Sequence, residues 1–177
     1  MHKRISLPEV FMNTAILFSK RSTCIRKKVG AVLAKDGRII GTGYNGVPKG
    51  VQHCEDFFRA YWAKKFSNET LRDTSRVNKG IDDWFHDWLK TKEFLDLHKA
   101  FSEKNELHAE TNVIAYTSRN GISTARSEMY ITLSPCTACA KLMIVAGVQA
   151  VYYLEEYDRS TDGIEFLKMN GVKCAKF

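Results

Sequence analysis

The sequence predicts an α/β fold in which helices cover a mixed sheet. From residue 108 onward, helical and strand-like segments alternate with short links, which favours parallel neighbouring strands joined by right-handed crossovers. Earlier in the chain, Asp36-Gly37 separates two runs that are rich in β-forming residues, and this dipeptide is a strong signal for an antiparallel hairpin. Together these two observations predict an α/β sandwich.

The predicted elements follow one another in a regular order. A helix over 8–20 has Pro8 near its start, where the fixed φ of proline suits the first helical turn. The strands of the hairpin cover 29–34 and 38–42, and a loop rich in glycine follows at 43–50. The remaining elements are predicted as helices around 56–65, 82–104, 108–119, 136–146 and 162–170, and as strands over 129–133, 150–154 and 172–177.

The length of the chain predicts one domain. The chain has 177 residues, and a typical domain has about 150. Residues 51–107 interrupt the alternation of strands and helices, and the sequence contains no internal repeat. We therefore expect a single domain over 1–177 that carries an insertion at about 51–107.

Composition excludes several classes of protein. Hydrophobic residues at 44% and charged residues at 27% exclude a wholly disordered chain. No uncharged apolar run approaches the roughly 18 residues of a membrane span, and the first residues lack the apolar stretch of a secretion signal, so we expect a cytoplasmic protein. The net charge of +7 is compatible with a nucleic-acid surface or with a site for a small anion, and does not distinguish them.

Two short segments carry residues that bind metals. They are His108-Ala109-Glu110 and Cys136-Thr137-Ala138-Cys139, and each begins a predicted helix. Cysteines three residues apart lie on one face of a helix, where their sulfurs can hold one ion, and a helix N-terminus favours the thiolate. One imidazole and two thiolates leave an open position on a tetrahedral zinc, which is typical of catalytic rather than structural sites.

Glu110 suits the role of a proton carrier. It lies two residues after the histidine and can face a water on the metal, whose pKa zinc lowers from about 16 toward 7. Taken alone, the cysteine pair also fits redox chemistry or a structural zinc site in a binding module without catalysis. The two segments together match the pattern of zinc-dependent base deaminases.

The chain resembles the phage-type deoxycytidylate deaminases, a branch of the zinc-dependent cytidine deaminase superfamily. The similarity covers most of the chain. Its motifs are Arg26-Lys27-Lys28-Val29-Gly30-Ala31-Val32, Gly43-Tyr44-Asn45-Gly46-Val47-Pro48-Lys49-Gly50, Asn105-Glu106-Leu107-His108-Ala109-Glu110-Thr111-Asn112, Ser134-Pro135-Cys136-Thr137-Ala138-Cys139-Ala140-Lys141 and Glu156-Tyr157-Asp158. The resemblance implies a three-layer α/β/α fold with a mixed five-stranded sheet.

The resemblance also implies an activity, the hydrolysis of dCMP to dUMP and ammonia, which supplies thymidylate synthesis. Zinc on His108, Cys136 and Cys139 would provide the hydroxide that attacks C4, and Glu110 would move protons to N3 and to the departing amine. The candidates for binding the substrate are Asn45 for the deoxyribose, Ala109 and Ser134 for the base, and Arg26, Lys28 and Tyr157 for the 5′-phosphate.

Allosteric control is a further implication of the resemblance. In this family dCTP activates and dTTP inhibits, commonly in a homohexamer, and Mg²⁺ can accompany the triphosphate. The residues that would bind the effector are Gly43, Tyr44, Gly46, Lys49 and Arg119.

A second, structural zinc is also implied. Cys24, Cys54 and His98 match positions that hold it in phage-type members, and His53 is our candidate for the fourth ligand. From the residues alone, these thiols fit equally well as small core side chains. Cys174 is expected in the core.

Related activities stay open at this stage. A tRNA adenosine deaminase or a free-cytidine deaminase would use the same zinc chemistry. The resemblance favours small nucleotides as partners, with no nucleic acid and no membrane, and places the protein in the host cytoplasm if a phage encodes it.

Overall fold

The computed structural model describes residues 4–66, 80–157 and 160–177. Asp158, the last residue of one of the motifs, lies outside these ranges. The elements in chain order are α1 (Leu7–Ser19), β1 (Gly30–Lys35), β2 (Arg38–Tyr44), α2 (Cys54–Phe66), α3 (Ile81–Trp88), α4 (Lys92–Asn105), α5 (Ala109–Arg119), β3 (Ser127–Leu133), α6 (Thr137–Val145), β4 (Val148–Glu155), α7 (Asp162–Met169) and β5 (Lys173–Lys176).

The chain divides into two compact units. The first comprises Met1–Ser22, Arg26–Gly46 and Leu107–Phe177, and the second comprises Thr23–Ile25 and Val47–Glu106. Among the described residues, no helix combines the length and the apolarity that crossing a bilayer requires.

The first unit contains the predicted mixed sheet of five strands, which confirms the fold class. The strand order is β2-β1-β3-β4-β5. Strand β1 is antiparallel to β2 and β3, whereas β3, β4 and β5 are parallel to one another. Asp36 and Gly37 form the hairpin turn with φ of 50° and 74°, which is the positive region that a two-residue hairpin turn of this kind requires.

Helices cover both faces of this sheet because the side chains of a strand alternate between them. Val32, Ala34 and Tyr130 pack against α1 on one face. Leu33 and Ile131 point to the other face, where α5, α6 and α7 complete the larger core. The start of α1 is fixed by Ser6, whose side chain forms a capping box with Glu9.

The second unit is helical and has an aromatic core. Helices α2, α3 and α4 contribute buried aromatic side chains, namely Phe58, Trp62, Phe85, Trp88, Phe94 and Phe101. The sequence predicted one helix over 82–104, but the structure divides it at Thr91. The hydroxyl of Thr91 accepts a hydrogen bond from the N–H of Phe94 and caps a new helix, which explains the break.

Candidate active site

The His108 imidazole and the thiols of Cys136 and Cys139 lie together in the first unit. His108 Nδ1 is 3.5 Å from Cys136 Sγ and 3.3 Å from Cys139 Sγ. Zn–N and Zn–S bonds of normal length at a tetrahedral angle place such donor atoms about 3.6 Å apart. The three side chains therefore fit a zinc ion in their present positions.

Two helix starts bring these ligands together. His108 is the N-cap of α5 and Cys136 is the N-cap of α6, and neither side chain makes a capping hydrogen bond. Cys139 follows in the first turn of α6. The starts of α5 and α6 therefore supply all three side chains.

The electrostatics of the cysteine pair favour a thiolate. Hydrogen bonds from Cys139 and from His108 lower the pKa of the Cys136 thiol to about 3. The neighbouring Cys136 thiolate and burial raise the pKa of the Cys139 thiol. A bound zinc ion would favour the thiolate form of both cysteines.

Glu110 lies in the first turn of α5 and is only 4% exposed. Burial raises the pKa of its carboxyl group, while a hydrogen bond to its own backbone and the nearby His108 imidazole act in the opposite direction. Glu110 is not grouped with the three metal-binding side chains. A buried carboxyl group of this kind can hold a proton closer to neutral pH than an exposed one.

The glycine-rich loop fixes the backbone next to His108. The N–H of Gly46 donates to Leu107 O at 3.1 Å, and the N–H of Leu107 donates to Gly46 O at 2.9 Å. A Cβ on Gly43 would lie 2.4 Å from the carbonyl oxygen of Ala109. The sequence analysis assigned these two glycines to an effector site and missed this supporting role, which only the position of α5 reveals.

Asn45 lies at the centre of a hydrogen-bonded loop. Its Oδ1 accepts from Ser22 Oγ at 2.7 Å and from the Val29 N–H at 2.8 Å, while its Nδ2 donates to Lys27 O at 2.8 Å. A side-chain amide has two N–H donors, and these bonds use only one of them. The amide thus holds the backbone between Arg26 and Val29 in place.

Ser134 joins the loop before Cys136 to the end of β4. Its N–H donates to Glu155 O at 2.8 Å, and its Oγ accepts from the Tyr157 N–H at 2.7 Å. The hydroxyl hydrogen of Ser134 is not used in either bond. Ser134 and Ala109 are buried next to metal-binding residues, and Tyr157 is half-buried.

The other candidate residues lie nearer the surface. Arg26 is half-buried, whereas Lys28, Lys49 and Arg119 are exposed. The Arg119 guanidinium lies 6.0 Å from the centre of the Tyr116 ring. Tyr44 is half-buried, and its carbonyl accepts from Asn112 Nδ2 at 2.9 Å.

A second group of metal-binding side chains lies in the second unit. It consists of Cys24, Cys54, His98 and Glu106, with donor atoms all within 4.8 Å of one another. Cys24 Sγ is 3.3 Å from His98 Nε2. The expected fourth residue, His53, is exposed and is not in this group.

Glu106 takes the place that the sequence analysis gave to His53. It is the C-cap residue of α4, eight residues after His98, so just over two helical turns bring it near the same face. His53 directly precedes the buried Cys54 at the start of α2 and points to solvent instead. The spacing from His98 was the sequence signal that could have identified Glu106.

The Glu106 carboxylate is only half satisfied by its neighbours. Ser102 Oγ donates to Oε2 at 2.7 Å, whereas Oε1 is buried and has no hydrogen-bond partner among the described residues. Burial also raises the pKa of this carboxyl group, and a hydrogen bond with Cys24 raises the pKa of the Cys54 thiol. Two thiols, an imidazole and an unpaired carboxylate oxygen are a complete donor set for a structural zinc.

Comparisons with known proteins agree with this chemistry. Residues 6–155 match the model of the cytidine and deoxycytidylate deaminase zinc-binding region. The deoxycytidylate deaminases of Enterobacteria phages T2 and T4 are each 38% identical over 90% of this chain, which covers 85% and 83% of their lengths. The crystal structure of the dCMP deaminase from cyanophage S-TIM5 in complex with dCMP and dUMP matches with a TM-score of 0.68 and 32% identity, over 99% of this chain and 100% of that one. The chain therefore belongs to the family of zinc-dependent cytidine and deoxycytidylate deaminases.

Proposed function

We propose that this enzyme is a deoxycytidylate deaminase, which converts dCMP and water into dUMP and ammonia. The observation that carries the proposal is the grouping of His108, Cys136 and Cys139 near the buried Glu110. Its support on the substrate side is the similarity to phage enzymes that are named for dCMP, one of which was crystallised with dCMP and dUMP.

Glu110 moves the protons of the reaction. His108, Cys136 and Cys139 would hold a zinc ion, which would supply the Lewis acidity that makes water a nucleophile at neutral pH. Glu110 takes a proton from the water and delivers it to N3 as C4 is attacked. It then carries the second proton to the amine, which leaves as ammonia. Burial of the carboxyl group, which raises its pKa, favours both deliveries.

The other candidate residues bind and orient dCMP. Asn45 has one free amide N–H for the deoxyribose, and Ser134 has a hydroxyl hydrogen for the base. Ala109 offers only backbone atoms, since its side chain is a methyl group. Arg26, Lys28 and Tyr157 are the residues we assign to the 5′-phosphate, because a guanidinium, an ammonium and a phenol are all donors to phosphate oxygens.

A second zinc ion is proposed for Cys24, Cys54, His98 and Glu106. The unpaired Oε1 of Glu106 supports it, because a buried carboxylate oxygen without a partner is costly unless an ion or a donor satisfies it. With four protein ligands this site is closed and hence structural. We also propose that the second unit is an insertion within a single deaminase domain.

We further propose that dCTP and dTTP regulate the enzyme, with Mg²⁺ and in a homohexamer. It is supported by the family resemblance, which assigns Lys49 and Arg119 to the triphosphate, and each of these cations is exposed in its own unit. The loop residues Gly43, Tyr44 and Gly46 complete the proposed effector site.

A panel of substrates tests the proposed function. Ammonia release is measured with dCMP, deoxycytidine and a tRNA anticodon stem, each with and without dCTP or dTTP. We expect turnover of dCMP that is far faster than that of deoxycytidine, since only dCMP carries the phosphate. Activity on the RNA alone would contradict the proposal, and a lack of response to either triphosphate would contradict the regulatory part.

A further inference from the structure

Helix α7 packs so closely against the loop at Pro135 and Cys136 that residue 163 has no room for a side chain. Gly163 is buried in the first turn of α7. A Cβ at this position would lie 2.0 Å from the carbonyl oxygen of Pro135 and 2.9 Å from the carbonyl carbon of Cys136. Both distances are shorter than real Cβ contacts, so any side chain at 163 must displace either α7 or the backbone of Pro135 and Cys136.

Backbone conformation does not explain this glycine. Gly163 is not among the glycines with positive φ, so alanine would adopt its backbone angles without strain. Alanine is also the better helix former. The contact with Pro135 is therefore the feature that requires glycine here.

Helix α7 cannot easily move away from the loop. Ile164 and Leu167 anchor it in the larger core, where they are 5% and 0% exposed. Cys139 and Met143 of α6 belong to the same core. Interiors packed in this way resist displacement.

The loop is held on its other side as well. Ser134, next to Pro135, is tied by two hydrogen bonds to the backbone of Glu155 and Tyr157. Any displacement caused by a side chain at 163 is thus directed into the short segment that ends in the ligand Cys136.

We propose that Gly163 is a positioning residue for the zinc centre. By having no side chain, it lets α7 lie against Pro135 and keeps Cys136 Sγ at its present distance from His108 Nδ1. This inference rests on the proposed metal centre. It adds a role for α7, which carries none of the metal-binding or proton-carrying residues.

Gly163→Ala and Gly30→Ala form a matched pair for the test. A Cβ on Gly30 would also lie 2.0 Å from a carbonyl oxygen, that of Ala15 in α1. Both variants should therefore lower the melting temperature. They differ in that only residue 163 touches a residue of the metal centre.

The readout is ¹¹³Cd NMR of the cadmium-substituted full chain. It gives a separate resonance for each metal site, and loss of a resonance in His108→Ala assigns the active site. We expect Gly163→Ala to shift the active-site resonance, and Gly30→Ala to leave it in place. We also expect kcat on dCMP to fall by about 100-fold in Gly163→Ala with little change in KM, as for a misplacement of about 1 Å.

An unchanged active-site resonance in folded Gly163→Ala would overturn the inference, and so would an equal shift in Gly30→Ala. If Gly163→Ala does not fold, Ile164→Val replaces it, because it loosens the anchor of α7 without adding an atom. The active-site resonance should then broaden or move, and an unaltered resonance would again overturn the inference. Failure of the proposed function is distinguishable, since the unmodified protein would then show no dCMP turnover or no active-site resonance.

Discussion

Replacing Glu110 by glutamine removes the proton carrier while preserving the shape of the site. Glutamine has nearly the same volume, so the side chain that is 4% exposed is replaced without a cavity. The amide neither accepts nor releases a proton at neutral pH. The ligands His108, Cys136 and Cys139 are untouched, and we expect zinc to be retained and dCMP to be bound.

The expected loss follows from the two proton transfers assigned to Glu110. General acid–base catalysis contributes about 10²–10⁴-fold to a step. Because the carboxyl group serves N3 and then the leaving amine, we expect kcat to fall by about 10⁴-fold or more. This corresponds to about 5 kcal/mol in the activation free energy, at about 1.4 kcal/mol for each factor of ten.

Three measurements check this prediction on the same sample. Zinc content is measured by mass spectrometry, dCMP binding by calorimetry, and turnover by ammonia release. Glu103→Gln is the matched control, because Glu103 is exposed on α4 and its ion pair with Lys99 is 3.9 Å long. The mechanism would be refuted if Glu110→Gln retained zinc and turned over dCMP within tenfold of the unmodified enzyme.

Three further predictions concern binding, the second metal and the glycine loop. Arg26→Ala should raise KM for dCMP by about tenfold or more, because it removes a charged hydrogen bond to the phosphate, and should leave KM for deoxycytidine unchanged. An equal rise in KM for both substrates would show that other residues bind the phosphate. Ser102 donates a hydrogen bond to the proposed ligand Glu106, so Ser102→Ala should weaken zinc binding at the second site by about 10–100-fold in chelator competition. His53→Ala should leave the zinc affinity unchanged, and a loss of affinity in His53→Ala but not in Ser102→Ala would restore His53 as a ligand. Gly43→Ala would place a Cβ 2.4 Å from Ala109 O, so it should lower the free energy of unfolding by about 1–3 kcal/mol in denaturant titrations. An unchanged denaturation midpoint would show that α5 can move away from this contact.

The metal-binding triad was predictable from the sequence because its geometry is mostly local. The spacing of Cys136 and Cys139 fixes their relation within one helical turn, whatever the rest of the chain does. The alternation of strands and helices then places the starts of α5 and α6 on the same side of the sheet. The contact of His108 with the two cysteines is the one part of this geometry between residues far apart in the sequence. The resemblance to known deaminases predicted that contact.

The second cluster was only partly predictable, since its geometry depends on how separate helices pack. Cys24 precedes β1, Cys54 begins α2, and His98 lies within α4. His53 was the candidate for the fourth ligand, but it directly precedes Cys54, and neighbouring residues at a helix start point in different directions. The spacing between His98 and Glu106 is visible in the sequence, but only the packing at the end of α4 shows that the Glu106 carboxylate lies with the two thiols.

The contact at Gly163 was also beyond the reach of the sequence. A glycine in the first turn of a helix is unremarkable by propensity, and no motif includes it. Its significance comes from the distance to Pro135, which depends on the packing of α7 against a loop that lies 28 residues earlier in the chain. Because glycine has no side chain, neither the hydrophobic periodicity nor the charge pattern of α7 indicates this contact.

Helices α5 and α6 begin with residues that are poor caps, which lowers the stability of their first turns. Serine, threonine, aspartate or asparagine at an N-cap stabilises a helix by about 1 kcal/mol, whereas His108 and Cys136 make no capping hydrogen bond. The Cys136 thiolate recovers part of this energy through the helix dipole, and zinc would supply the rest by binding both residues. Removal of the metal should therefore destabilise the first turns of α5 and α6 more than their last turns. Hydrogen exchange of the zinc-bound and metal-free proteins would show this as a larger increase in rate near Glu110 and Cys139 than near Thr117, because the first N–H groups of any helix lack an intrahelical acceptor and only the change on zinc removal is informative. An equal increase along both helices would contradict it.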